Sequence, residues 1–211
     1  MLLAGITTLL LLPVGTALAW WIAKSQGRWR DIVTAVVSLP LVLPPTVLGF
    51  YLLVALGPFG PGGQLASLWG ARTLAFSFEG LVIGSMVYSL PFMVLPLRMA
   101  FKAIGREPLE AGATLGASNN RIFWRIAVPL ALPGFMSGAI MTFAHTLGEF
   151  GVVLMIGGNI PGETKVLSIA IYDFIERGQW VEAHIVSAGM VLFAYVVVTT
   201  AMQIQRIGAR Q

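Results

Sequence analysis

Few residues in this chain have the types and the spacing that chemistry requires. The only histidines are His145 and His184, in separate segments, and there is no cysteine, so no cluster of imidazole or thiolate ligands is predicted for a metal ion. No set of serine, histidine and aspartate and no pair of catalytic carboxylates stands out. We therefore predict no catalytic residue and no metal site, and we expect both histidine rings to be packed or interfacial.

A nucleotide-binding loop is also missing from the sequence. The pattern Gly-x-x-x-x-Gly-Lys-Ser/Thr does not occur, and the glycines at 60, 62 and 63 have no Lys-Ser or Lys-Thr after them. We expect no cofactor in this chain, and any ATP hydrolysis would belong to another subunit.

One polar, basic block, from residue 98 to residue 129, has a spacing that suits docking. Pro108 can occupy the first turn of a short helix, and Gly116 can adopt the positive φ that ends it. Glu110 would cap this turn, pair with Arg121 or Arg125, or stay solvated. A second short segment would make the loop L-shaped, with small side chains that let a partner approach the backbone.

The rest of the chain is apolar. Its 211 residues are 57% hydrophobic and 10% charged, with a mean hydropathy of +0.84, whereas a soluble domain is about one quarter charged. The sequence therefore predicts an integral membrane protein. The net charge of +4 does not indicate nucleic acid as a partner, because the basic residues fall between apolar runs, as an orientation signal requires.

Five segments approach the length of about 20 apolar residues that crosses a bilayer. We predict an all-α integral membrane protein with one transmembrane domain over residues 1–211: a bundle of about five helices, with a loop at 102–129 on one face. The predicted helices cover residues 2–23, 32–56, 80–101, 130–156 and 185–204.

Orientation follows from the basic residues beside the membrane. Ten of the 13 Lys and Arg residues flank one face and three flank the other, and the face richer in Lys and Arg is cytoplasmic. The N-terminus is therefore predicted outside, and the 24–31 turn, the 102–129 loop and the tail at 207–211 are predicted inside.

Prolines inside the apolar runs predict bent helices. Breaks in a membrane helix are tolerated where the freed backbone groups face protein or a water-filled cavity. The stretch 39–46, with three prolines, would line a pathway or would simply be kinked for packing.

The spacing of the polar block resembles the cytoplasmic coupling motif of ABC importer permeases: Glu110-Ala111-Gly112, then Gly116, then Ile126-x-Val-Pro. Residues 39–49, the Gly-Glu-Phe-Gly run at 148–151 and the Asn-Ile-Pro-Gly-Glu-Thr run at 159–164 resemble the molybdate (tungstate) permeases along nearly the whole chain. Sulfate and thiosulfate permeases share the Gly-Glu-Phe-Gly run and the coupling loop, and they are the alternative. A non-ABC channel, a secondary transporter and a membrane-embedded enzyme are more distant alternatives.

This resemblance implies a type I importer permease in the inner membrane of a prokaryote. A second copy of the chain would complete a homodimer, two cytoplasmic ABC ATPase subunits would use ATP, and an extracytoplasmic oxyanion-binding protein would deliver the substrate. The resemblance also implies which residues dock on the ATPase and couple the permease to it: Glu110, Ala111, Gly112, Gly116, Ile126 and Pro129.

Neutral donors are expected along the anion pathway, because no Lys or Arg lies deep in an apolar segment. Hydroxyl groups in the helices are the candidates, although each could instead bond its own helix backbone. Glu149 is a functional candidate as an acid in or near the membrane, but its charge would repel an anion, which favours a structural hydrogen bond or a gate hinge. The candidates for pathway or gate are Thr46, Ser89, Ser137, Thr142, Thr146 and Glu149.

Overall fold

The computed structural model describes residues 1–208, and every regular element in that range is helical. The all-helical fold predicted from the sequence is confirmed. The α-helices in chain order are α1 (Leu2–Lys24), α2 (Arg28–Val42), α3 (Pro45–Leu56), α4 (Pro61–Ala66), α5 (Phe78–Ala103), α6 (Glu107–Thr114), α7 (Asn119–Ile122), α8 (Val128–Leu130), α9 (Leu132–Gly148), α10 (Gly151–Gly157), α11 (Leu167–Glu176) and α12 (Trp180–Gly208).

Three of these helices, α1, α5 and α12, are each long and apolar enough to cross a membrane. Two bent pairs of helices also satisfy this test of length and composition. In one pair α2 meets α3 at 112°, and in the other the stretch Asn119–Leu130 meets α9 at 69°. The described residues therefore contain three to five spans, depending on whether each bent pair counts as one.

The segment predicted as one helix over 32–56 is two helices. Leu43 and Pro44 are extended, with ψ of 135° and 136°, because the residue before a proline is driven out of the α region and Leu43 and Pro44 each precede one. The segment predicted over 130–156 is also divided, since α9 ends at Gly148 and α10 begins at Gly151.

The long helix α5 occupies the centre of the bundle and packs mainly against α1 and α9, with further contacts to α10 and α2. Two glycines of α9 permit its close approach: a Cβ on Gly134 would lie 2.4 Å from the Ala100 side chain, and one on Gly138 would lie 3.1 Å from the Met93 carbonyl oxygen. Small residues four apart commonly serve this purpose in membrane helices.

Burial differs greatly among the three unbroken spans. The apolar window of α5 is 56% buried, that of α1 is 39% buried and that of α12 is 6% buried. Helix α12 therefore presents most of its apolar surface outward, towards lipid or another protein chain.

The end of the predicted tail, residues 209–211, lies outside the described residues.

Candidate functional site

The first arm of the 102–129 loop is α6, and its end is closed by two hydrogen bonds. Ala117 N–H donates to the Gly112 carbonyl at 3.1 Å, and Gly116 N–H donates to the Ala113 carbonyl at 3.0 Å. This pairing is the Schellman motif. It requires a left-handed residue at Gly116, whose φ is +76°, so this glycine turns the chain as its position in the sequence predicted.

The second arm begins directly after this turn. Ser118 caps α7 by accepting a hydrogen bond from the Arg121 N–H, and the helix continues through a π-helical turn, Phe123–Ala127, into α8. The two arms pack against each other at Gly112, where an added Cβ would lie 2.6 Å from Ile126 Cδ1 and 3.3 Å from the Ile122 side chain. Gly112 is buried, so its small size serves contact within the loop and leaves no opening for a partner.

The other predicted docking residues lie mostly on the surface. Glu110, Ala111, Gly116 and Pro129 are exposed, and Ile126 is half-buried because it packs between the arms. No ion pair joins Glu110 to Arg121 or Arg125 in the structure of residues 1–208. Leu115, which is not among the predicted docking residues, is 87% exposed at the turn. The sequence marks it only as an apolar residue beside the glycine that ends a helix.

Aromatic rings connect this loop to the bundle. The Trp20 ring on α1 contacts Phe101 on α5 and Phe123 in the loop, with centroid distances of 5.0 and 5.1 Å in edge-to-face geometry. Leu109 of α6 packs against the same buried cluster. Since both arms are anchored to helices of the core, a force applied to the loop acts on the bundle directly.

A second group of predicted residues forms a polar core between α5 and α9. The hydroxyl oxygen of Ser89 lies 2.9 Å from Thr146 Oγ1 and 3.0 Å from His145 Nδ1. The His145 ring stacks on Phe92 with a centroid distance of 3.9 Å. Ser89 and Thr146 are both buried, so their hydroxyl groups bond across the helix interface and face no open path within one chain.

Three further buried oxygens beside this core have no hydrogen-bond partner in the described structure: Thr142 Oγ1 and both carboxylate oxygens of Glu149. Ser85 lies close enough to Glu149 to interact with its charge, although the pair lacks hydrogen-bond geometry. The Glu149 carbonyl accepts a hydrogen bond from Ser168 Oγ. Glu149 therefore sits at the break between α9 and α10, tied by its backbone to α11.

The two remaining pathway candidates are Thr46 and Ser137. Thr46 is exposed in the first turn of α3, directly after the corner that α2 makes with it. Ser137 is half-buried on α9. The structure thus brings Ser89 and Thr146 together and leaves Thr46 outside that pair.

At the end of the bundle opposite the loop, ion pairs hold the segment that includes α11. The partly buried Asp173 accepts from Lys165, and its second carboxylate oxygen lies 3.0 Å from Arg177 Nη2. The hydrogen bond from Lys165, with the positive charge of Arg177, holds the pKa of Asp173 below its ordinary value. A neutral pH therefore keeps this network ionised.

Solved structures with the same arrangement of helices are membrane subunits of ABC importers. A bacterial alginate ABC transporter, crystallised with an alginate-bound periplasmic protein, matches 97% of this chain and 75% of its own, with a TM-score of 0.75 and 20% identity. The methionine ABC transporter, crystallised in inward-facing conformations, matches 98% of this chain and 89% of its own, with a TM-score of 0.70 and 19% identity. At these identities the likeness establishes the fold, that of an ABC importer permease.

Sequence comparison gives the family. Residues 12–210 match the sequence model described as the inner membrane component of binding-protein-dependent transport systems. The chain is 56% identical to the molybdenum transport system permease protein ModB of Azotobacter vinelandii over 92% of this chain and 86% of that protein. It is 38% identical to the ModB protein of Escherichia coli K12 over 82% and 76% of the two chains. This chain belongs to the family of inner membrane components of binding-protein-dependent transport systems, as a transport permease that passes through the membrane more than once.

Proposed function

We propose that the chain is the permease subunit of an ATP-driven importer that carries molybdate, with tungstate as a second substrate, into the cytoplasm. The observation that carries this proposal is the 56% identity with a molybdenum transport permease over 92% of the chain. The two-armed 102–129 loop supports it, because an importer whose own chain has no nucleotide-binding loop needs a surface that receives an ATPase.

In this proposal two copies of the chain form the pore, two ATPase subunits dock on the 102–129 loops, and an external oxyanion-binding protein supplies the substrate. The exposed residues Glu110 and Leu115 would enter the ATPase surface, while Gly112 and Gly116 keep the loop in its closed shape. ATP binding would move the loop, and the Trp20 aromatic contacts would transmit that movement to α1 and α5.

Orientation belongs to the same proposal: the loop faces the cytoplasm and the N-terminus faces outward. The chain has no cysteine, so Gln26→Cys and Gln179→Cys introduce single exposed thiols near opposite faces. On intact cells a membrane-impermeant maleimide should label Gln179→Cys alone, and Gln26→Cys should react only after permeabilisation. The reverse pattern would overturn the orientation.

Pairing of two copies can be tested by co-expressing a His-tagged and an untagged chain. In a mild detergent, the untagged copy should be recovered with the tagged one from co-expressing cells. As a control for nonspecific association after solubilisation, the two chains are purified separately and then mixed. Recovery of the tagged chain alone would argue against a homodimer.

The substrate is tested by uptake of radiolabelled molybdate into proteoliposomes that contain this chain, its ATPase and its binding protein, with ATP on the ATPase side. We expect uptake that requires both ATP and the binding protein and that excess tungstate blocks while excess sulfate does not. Liposomes without the binding protein provide the control. Inhibition by sulfate equal to that by tungstate would assign the chain to sulfate transport instead.

A further inference from the structure

A basic cavity lies at the loop end of the bundle, outside the polar core, and it shares Glu110 with the exposed docking surface. It has a volume of about 530 Å³ and is enclosed by the end of α1, the α1–α2 turn, the end of α5 and the start of α6. Its basic lining residues are Lys24, Arg30, Lys102 and Arg106, and Glu110 is its one acidic lining residue. Trp20 and Phe101 supply an aromatic wall.

Three of these four cations have no carboxylate partner within the described protein. Arg30 is paired with Asp31 at 2.7 Å, and the Lys24 ammonium lies 4.2 Å from the centroid of the Trp20 ring. Neither Lys102 nor Arg106 forms an ion pair in residues 1–208. Three cations around one concave site, opposed by one carboxylate, favour an anionic ligand.

An apolar groove of about 420 Å³ runs towards this cavity along the same stripe of α1. Pro13, Thr16 and Ala17 line the groove, and Trp20 and Lys24 line the cavity, so the helix contributes positions three or four residues apart to both. The opposite wall of the groove includes Phe123, Trp124 and Phe135.

The contact between Trp20 and Phe123, whose centroids are 5.1 Å apart, lies between the two sites, because Trp20 lines the cavity and Phe123 lines the groove. Eleven residues separate Pro13 from Lys24, about 16 Å along the helix axis. This length is close to half of a hydrocarbon core of about 30 Å. Together the groove and the cavity extend over the depth of about one leaflet, with apolar walls at one end and basic residues beside a tryptophan at the other, which matches the form of a phospholipid.

We propose that this cavity and groove bind one anionic phospholipid, with its headgroup phosphate among Lys24, Lys102 and Arg106 and one acyl chain along α1 against Phe123 and Trp124. The lipid borders α6, so the assembled transporter retains it beside the loop. This proposal is independent of which anion the protein transports.

Native mass spectrometry of the full chain in a neutral detergent tests the proposal, with phosphatidylglycerol and phosphatidylcholine of identical chains as probes. We expect one phosphatidylglycerol to remain bound under conditions that remove phosphatidylcholine. Lys102→Ala with Arg106→Ala should weaken phosphatidylglycerol binding by about thirtyfold, since each basic side chain contributes on the order of fivefold near an anionic surface. Arg121→Ala with Arg125→Ala removes two exposed cations from the same loop and should change affinity less than twofold.

A second variant tests the groove without changing any charge. Ala17→Trp should fill it and weaken phosphatidylglycerol binding at least fivefold while leaving the binding of inorganic phosphate unchanged.

Four outcomes would overturn the proposal. Two of them are an equal loss of affinity in the Lys102/Arg106 and Arg121/Arg125 double variants, and no preference for phosphatidylglycerol over phosphatidylcholine. Inorganic phosphate that competes as well as the lipid would show a free-anion site, and loss of the lipid when the ATPase is added would show that the ATPase fills the cavity. Either result would also overturn it.

Discussion

The turn at Gly116 gives the sharpest test of the coupling proposal, because its conformation can be strained without introducing a clash. A left-handed conformation costs an alanine about 1–2 kcal/mol, and nothing lies within 4 Å of a Cβ added at Gly116. The Gly116→Ala variant therefore carries the conformational cost alone. It can relieve that cost by opening the Schellman turn, and the ATPase must close the turn again to dock.

If docking requires the closed turn, Gly116→Ala should weaken ATPase binding by about 5- to 30-fold, the equivalent of 1–2 kcal/mol. The assay is titration of detergent-solubilised permease with labelled ATPase, followed by fluorescence anisotropy. Gly116→Asn should bind nearly as well as the parent chain, because asparagine tolerates this conformation better.

The matched control for strain is Gly178→Ala, which lies in the turn between α11 and α12. Its φ is +69°, and a Cβ there would also meet nothing within 4 Å, so the conformational cost is similar. We expect it to lower thermal stability and leave ATPase affinity unchanged. The reasoning is refuted if Gly116→Ala binds like the parent chain, or if Gly178→Ala loses as much affinity as Gly116→Ala.

Three further outcomes are expected. Gly112→Val should force the loop arms apart at a cost of about 1–3 kcal/mol and speed limited proteolysis of the loop, whereas Ala113→Val, at an exposed neighbour, should not. Ser89→Ala should lower the free energy of unfolding by about 1–3 kcal/mol, because it removes a hydrogen-bond partner of the buried Thr146 hydroxyl and of the half-buried His145 ring. Ser38→Ala, which loses only a bond to its own helix, should change it by less than about 0.5 kcal/mol. The lowered pKa of Asp173 means that its ion pairs stabilise the protein at neutral pH and are lost as pH falls from about 4 towards the lower folded pKa, so Asp173→Asn should remove this acid-dependent fall in thermal midpoint.

Local signals in the sequence predicted the helical class and the turn of the loop. Apolar runs of sufficient length identify membrane helices whatever they pack against, and glycine is the residue that a left-handed turn at position 116 requires. Both features depend on a few adjacent residues, so they can be interpreted without knowledge of distant contacts.

The features that the sequence did not predict depend on residues far apart in the chain. Ser89 and Thr146 are 57 positions apart, and no periodicity pairs them. The sequence predicted that Gly112 lets a partner approach, whereas the structure packs it within the loop. The sequence did not indicate this packing, because the contacting residue Ile126 lies in the other arm of the loop. Prolines 44 and 45 predicted a bend, but the 112° corner also depends on what α3 packs against.

The corner between α2 and α3 and the break between α9 and α10 are built differently, and they lie in contact. At the corner between α2 and α3 consecutive prolines fix the backbone, whereas the break at Glu149 and Phe150 has no proline and turns about ordinary backbone bonds. A Cβ added to Gly151 would lie only 2.8 Å from the Pro45 side chain. The start of α10 therefore packs directly against the start of α3, and a rotation about the backbone bonds of Glu149 and Phe150 would press on the proline corner and displace α3 with it.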